Sequence, residues 1–152
     1  VYKENFNNII KFYSKFLKNI KFYNLNISDT FGKSDKRKKI INILKINYKK
    51  NLLTKIISKN LYLNLLNIID IINAVNLILN GKVKPESYIL KNNRNFSISE
   101  IVDSINSFST KKIKIKSLSN KTIKEKLYNY KRLKQWRPVN SNIKDIVDII
   151  KK

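Results

Sequence analysis

The segment that most constrains the fold of this 152-residue chain runs from residue 20 to residue 41. Its first part, residues 20–27, alternates apolar and polar side chains, which predicts a buried β-strand. Residues 28–32 read Ser-Asp-Thr-Phe-Gly and predict a loop, after which Asp35-Lys36-Arg37 leads into the apolar spacing of a helix. In α/β folds a loop at the carboxyl end of a strand is where side chains meet ligands.

Helices and strands are predicted to alternate along the whole chain. Apolar side chains spaced by three and four predict helices at residues 4–18, 38–48, 71–79, 98–108, 143–151 and, with weaker periodicity, 122–134. Shorter patterns predict strands at residues 55–58, 61–66, 87–90 and 111–116, the last as an edge strand with a lysine face. The expected helix caps are Asp70, Ser97 or Ser99, and Ser141, with Asn80-Gly81 as a stop signal. The sequence therefore predicts a mixed α/β fold.

Composition excludes several kinds of chemistry. The chain has no cysteine and no histidine, which removes disulfides, thiolate ligands and the commonest general base, so no metal site is expected. The longest apolar segment, residues 61–79, is interrupted by asparagine and aspartate, so no membrane span is predicted. The chain does not begin with Met and enters a helical pattern at once, which we interpret as a sequence lacking its true beginning.

The net charge of +23 suggests a nucleic-acid partner, since clustered Lys and Arg bind phosphate backbones. The distribution argues against that interpretation, because lysines occur along every predicted element and most aromatic residues fall at apolar helical positions. Lysine, asparagine and isoleucine dominate while glycine and proline are scarce, the pattern of AT-rich codon usage. We therefore attribute the charge to composition, and a small basic nucleic-acid-binding module is retained only as an alternative function.

Three segments, in the expected order, resemble the extended short-chain dehydrogenases, a family of NAD(P)-dependent nucleotide-sugar epimerases, dehydratases and reductases. Residues 20–41 are similar to the family pattern L-x-L-x-D-x-Y-G-P-x-D-x-R-x-K, and residues 61–75 to D-L-V-Y-I-D-D-V-V-N-A. Residues 133–138 are similar to the closing L-G-W-x-P. The resemblance implies α/β architecture: the C-terminal part of a Rossmann-like NAD(P)-binding fold plus a small α/β substrate lobe.

The resemblance also implies a domain organisation and a catalytic residue. The chain would be one partial domain, with the end of the dinucleotide-binding sheet and the substrate loop in residues 1–80 and the substrate lobe in residues 81–152. Family members carry a Tyr and a Lys one helical turn apart, in which the Lys holds the nicotinamide ribose and lowers the pKa of the Tyr. Lys3 fits the Lys position, and its Tyr would lie one position before Val1. The alternative is that Lys3 is one more solvated lysine.

Three residues fall where the resemblance implies substrate contacts, namely Asp29, Arg37 and Asn64. Many family members carry an arginine that binds the nucleotide diphosphate at the position of Leu63, so Arg37 is expected to make that contact here. The alternatives are an ordinary strand-to-helix turn for Asp29 and the start of a surface helix for Arg37.

By resemblance, the whole enzyme would oxidise or reduce a hexose carbon of a nucleotide sugar through NAD or NADP. The cofactor would be bound mainly by the N-terminal half, because this chain has two glycines and no glycine-rich fingerprint, and alone it is expected to be inactive. A homodimer formed through the first helix and a cytoplasmic location are also expected. A non-catalytic remnant of the family that packs with a partner is the third possibility.

Overall fold

The computed structural model describes residues 2–127 and 129–152, with side chains from Asn5 onward. The helices are α1 (Tyr2–Phe16), α2 (Ile40–Lys50), α3 (Ile68–Leu79), α4 (Ile98–Ser107) and α5 (Ile143–Lys151). The strands are β1 (Asn24–Ile27), β2 (Asp29–Phe31), β3 (Leu53–Ser58), β4 (Leu61–Leu63), β5 (Leu65–Asn67), β6 (Ser87–Leu90), β7 (Phe96–Ser97), β8 (Lys114–Ser119), β9 (Ile123–Lys124) and β10 (Lys131–Arg132). This confirms the mixed α/β fold.

Parallel pairing dominates the four small sheets of the described residues. β6 lies between β1 and β10 and is parallel to both, β2 is parallel to β5, and β3 is parallel to β8. β4 pairs with β9 in parallel and with β7 antiparallel. Parallel neighbours need long crossover connections, usually helical, which is why helices separate most of the strands. As a result, β2 and β5 end side by side, at Phe31 and Asn67.

Two buried clusters hold these layers together. The larger one joins α2, α4 and α5, and its fully buried members include Leu44, Ile98, Ile101, Ile105, Ile146 and Ile150. The smaller one packs α3 against β6 and the C-terminal segment, through Leu66, Ala74, Tyr88, Leu90, Leu133 and Trp136. Among the described helices, none is both long and apolar enough to cross a membrane.

Asp70 anchors α3 to the C-terminal segment. Its side chain is fully buried, and its carboxylate accepts hydrogen bonds from the backbone N–H of Asn140 (3.0 Å) and the hydroxyl of Ser141 (2.5 Å). The Trp136 Nε1–H donates to the Asp70 carbonyl oxygen at 2.7 Å. Since α3 begins at Ile68, Asp70 lies inside its first turn, and the prediction that Asp70 caps this helix is wrong.

The caps of the helices differ from prediction in two of three cases. Asn67 caps α3 with its side-chain oxygen, and Asn142 caps α5 in place of Ser141, whose hydroxyl is bound to Asp70. Ser97 caps α4 by accepting the backbone N–H of Glu100 at 3.0 Å, which confirms one of the two predicted caps for that helix.

Three predicted elements also need correction. Residues 29–31 were expected in a loop but form β2, because their backbone pairs with β5. Residues 122–134 contain β9 and β10 rather than a helix, since they pair with β4 and β6. The alternation of residues 20–27 becomes a strand only in β1. Each difference follows from a pairing partner that is far away in the sequence.

Candidate functional site

The loop between β2 and α2, residues 32–39, lies beyond the carboxyl ends of the parallel strands β2 and β5. This is the edge at which α/β sheets present side chains to ligands. The loop contains four lysines and Arg37 but a single carboxylate, Asp35. The candidate site is therefore a cationic loop at the ligand-facing edge of a parallel sheet.

Buried Asn42 fixes the shape of this loop. Its side-chain amide donates to the carbonyl oxygens of Asp35 (2.7 Å) and Arg37 (2.8 Å). The backbone N–H of Arg37 donates to the Asp35 carboxylate at 3.0 Å, a local turn that Asp favours. These bonds give the loop one defined conformation.

Gly32 allows this loop to approach α3 closely. A Cβ at this position would lie 2.9 Å from Cγ2 of Ile68, a distance that real Cβ atoms essentially never show. The backbone of Gly32 has no positive φ, so its conformation does not require a glycine. Gly32 is needed for the packing of the loop.

Arg37 is held by Asp35 and Thr30. Its Nε and Nη2 donate to the two carboxylate oxygens of Asp35, at 2.8 and 2.6 Å, and Nη2 also donates to the Thr30 hydroxyl at 2.7 Å. The hydrogen bonds from Arg37 lower the pKa of Asp35 from 3.8 to about 2, and those to Asp35 raise the pKa of Arg37. The Arg37 side chain is 56% exposed, so it is oriented and yet open to solvent.

Asp29 lies beside this pair but uses its carboxylate locally. One oxygen accepts the backbone N–H of Thr30 at 2.9 Å and the ammonium of Lys39. The side chain keeps 22% of its surface exposed. Asp29 at the start of β2 and Arg37 in the loop are therefore brought close together, and both are hydrogen-bonded to Thr30.

Asn64 is separated from them by burial. Its side chain is only 2% exposed and donates to the Asn95 side chain at 2.7 Å, while its oxygen accepts the backbone N–H of Asn92 at 2.7 Å. Asn92 in turn donates to the carbonyl oxygens of Leu65 and Ser141. Asn64 thus belongs to a buried amide network that joins β5 to the loop after β6.

Lys3 belongs to α1, and the structure describes its backbone but not its side chain. The residues that sequence reasoning did not single out are Thr30 and Lys39, the partners of Arg37 and Asp29. The turn at Asp35 could have been expected from the sequence, because an Asp side chain often accepts the backbone N–H of the residue two positions later. No such signal exists for Thr30, whose contact depends on the folded loop.

A cavity of about 330 Å³ opens at the same edge, between residues 33–34, the start of α3 and α5. Its lining combines charged and polar side chains with apolar ones, namely Lys33, Asn67, Asn140, Asp145 and Asp148 with Ile68, Ile69 and Ile149. The volume lies at the low end for small-molecule sites. Among the described residues, no group of His, Cys, Asp or Glu could hold a metal ion.

Solved structures similar to this chain include epimerases and a dehydratase whose names state a nucleotide sugar. A UDP-glucose 4-epimerase from Stenotrophomonas maltophila, with NAD and a formylated UDP-arabinopyranose, has a TM-score of 0.77 at 7% identity over 97% of this chain and 52% of that chain. A UDP-glucuronic acid 4-epimerase from Bacillus cereus with NAD has a TM-score of 0.73 at 17% identity, covering 95% and 49%. A dTDP-glucose 4,6-dehydratase from Bacillus anthracis with NAD has a TM-score of 0.61 at 15% identity, covering 85% and 43%.

These similarities confirm a Rossmann-like α/β fold. The chain spans about half the length of the solved structures it matches. No protein-family model and no curated protein sequence matches the chain. The fold is therefore known from structure, while substrate and activity are inferred from the residues of the site.

Proposed function

We propose that this chain is the C-terminal, substrate-binding half of an extended short-chain dehydrogenase, an NAD(P)-dependent epimerase, dehydratase or reductase of a nucleotide sugar. The observation that carries the proposal is the fixed position of Arg37 beyond the carboxyl end of β2, in a fold shared with such enzymes. The alternative of a basic nucleic-acid-binding module has no comparable support from the fold.

Charge favours a diphosphate as the group that the loop would bind. Arg37 presents a planar cation, and Lys33, Lys36, Lys38 and Lys39 add positive charge within the same loop. Asp29 and Asp35 offset part of that charge, which leaves the loop cationic. Asp29 would then face a sugar or ribose hydroxyl rather than the phosphates, because two carboxylates and a diphosphate repel one another.

The two glycines of this chain bear on where the cofactor phosphates would bind. A dinucleotide fold cradles the pyrophosphate in a glycine-rich turn between a strand and a helix. Gly32 packs directly against the Ile68 side chain, and Gly81 follows the end of α3 with a φ of +70°. Neither glycine therefore belongs to such a turn. We therefore assign the phosphates of NAD or NADP to the other half of the fold and derive no redox step here. Lys3 stays a predicted contact to the cofactor ribose.

We keep the division of the chain into residues 1–80 and 81–152 as a proposal. The two parts would share one sheet. β1 belongs to the first part and pairs in parallel with β6 of the second. Asn64 would act through its buried network, by fixing the amino end of β5, and this role is also a proposal.

Calorimetric titration of the intact enzyme with UDP-glucose tests the proposal at 0.15 M salt, where nonspecific attraction is screened (Debye length about 8 Å). Arg37→Ala is expected to weaken binding about tenfold or more, since a charge-assisted hydrogen bond contributes about 1.5–3 kcal/mol. Arg37→Lys should restore only part of the affinity, because a point charge lacks the planar fork.

The matched control is Arg137→Ala, which removes the same charge from an exposed arginine outside the loop. It should leave the affinity for UDP-glucose within about twofold of the unsubstituted chain, as expected for a screened surface charge. Equal affinities for Arg37→Ala and the unsubstituted chain would overturn the proposed role of the loop.

A further inference from the structure

The hydrogen bonds of Arg37 leave no free fork for a phosphate. An arginine has five N–H donors, which form a side-on fork from Nε and Nη2 and an end-on fork from Nη1 and Nη2. Asp35 occupies the side-on fork, with N···O distances of 2.8 and 2.6 Å. The second N–H of Nη2 is taken by Thr30 at 2.7 Å, which blocks the end-on fork. Within the described residues, only Nη1 has no acceptor.

A two-point contact with a phosphate therefore requires the displacement of one partner. Asp35 is the stronger of the two, because its bonds are charge-assisted and bidentate. Its low pKa of about 2 means that the carboxylate stays ionised at neutral pH. The bond to Thr30 is a single contact with a neutral hydroxyl, so it is weaker than the bidentate ion pair with Asp35. The Thr30 contact is the one that an incoming anion can exchange.

We propose that Thr30 competes with the ligand diphosphate for the end-on fork of Arg37, while Asp35 keeps the side-on fork and positions the guanidinium. This inference rests on the proposed function, and it makes Thr30 a residue that sets the affinity of the site. The hydroxyl of Thr30 lies on a half-buried side chain, so water can replace Arg37 as its partner.

Thr30→Val is the direct test, because valine keeps the shape and the β-branch of threonine and removes only the hydroxyl. Calorimetric titration with UDP-glucose should show about fivefold tighter binding, the equivalent of about 1 kcal/mol. Thr30→Ser keeps the hydroxyl and should bind like the unsubstituted chain. Thr122→Val, at an exposed threonine outside the loop, is the matched control and should change nothing.

A double variant separates competition from a general effect on the loop. In an Arg37→Lys background the side chain has no guanidinium fork that Thr30 could occupy. Thr30→Val should therefore give no gain in affinity there. Thr30→Ala serves the same purpose if valine disturbs β2, and circular dichroism checks the fold of each variant.

The outcomes distinguish this inference from the proposed function. If Arg37→Ala weakens binding while Thr30→Val and Thr30→Ala bind no more tightly than the unsubstituted chain, the competition is refuted and the diphosphate contact stands. A gain of equal size in the Arg37→Lys background also refutes it. If Arg37→Ala has no effect, both the proposed function and this inference fail.

Discussion

Asp35 is the residue at which the electrostatics of the candidate loop can be measured. Hydrogen bonds from the Arg37 side chain are the main reason why the pKa of Asp35 lies at about 2 instead of 3.8. A carboxyl group with a depressed pKa in the folded state stabilises the fold above its unfolded pKa. This stabilisation is lost as the pH falls below 3.8 and through about 2, where the folded carboxyl takes up a proton.

Asp35→Asn should therefore destabilise the protein at neutral pH and much less at pH 2. The measurement is urea unfolding of both proteins between pH 6 and pH 2. The expected loss is small, because Arg37 is largely exposed and water screens the pair. Asp103→Asn, at an exposed carboxylate of α4 that forms no ion pair within the described residues, is the control. A stability difference that stays constant over the whole pH range would contradict the linkage.

At the scale of secondary structure, the sequence predicted the elements that depend on local side-chain patterns. It missed the strands that depend on pairing with distant segments. β6 has its predicted bounds and α4 its predicted cap, because their side chains alternate or cap within a few residues. β2 is only three residues long and exists through its pairing with β5, which no local pattern encodes. β9 and β10 were assigned to a helix for the same reason.

The candidate site divides in a similar way. The proximity of Asp29 and Arg37 could be predicted, since both follow the first predicted strand and are close in sequence. The fork geometry could not, because it depends on how the folded loop brings Thr30 within 2.7 Å of Nη2. The burial of Asn64 could not be predicted either, since its partners Asn92 and Asn95 lie about thirty residues away. Polar side chains with distant partners are the ones whose roles sequence patterns do not reveal.

Asp70 gives a prediction at the scale of elements, because it ties α3 to the segment before α5. Asp70→Asn places an amide N–H₂ among the N–H and O–H donors of Asn140 and Ser141, so at least one buried donor loses its acceptor. We expect a loss of about 2–3 kcal/mol in the free energy of unfolding, measured by urea denaturation. Asp148→Asn, at an exposed position of α5, should cost less than about 0.5 kcal/mol. Comparable stabilities of the two variants would rule out the anchoring role.

On the scale of the whole molecule, charge and apolar surface are distributed differently. Lysines lie on exposed positions of many elements, including Lys114 and Lys116 of the edge strand β8. Large exposed apolar side chains instead concentrate on α1, where Phe6, Ile9, Phe12, Tyr13 and Phe16 are all more than half exposed. A 15-residue helix is marginally stable by itself in water, and an apolar face of this kind marks a contact surface.

We predict that the protein is a homodimer in which the α1 helices of two copies pack their apolar faces together. Phe12 belongs to that face, lies against Phe16 with ring centroids 4.9 Å apart and is 57% exposed, so burial of its ring would contribute strongly to such an interface. Phe12→Glu should therefore yield monomers, because two buried carboxylates would face each other across the contact. Phe108→Glu, at a phenylalanine just after α4 that is 74% exposed, makes the same chemical change outside α1 and should leave the dimer intact.

Sedimentation velocity at micromolar concentration measures the oligomeric state of all three proteins. A monomeric unsubstituted protein would refute the prediction. Dimers that persist in Phe12→Glu as well as in Phe108→Glu would show that the interface lies outside α1.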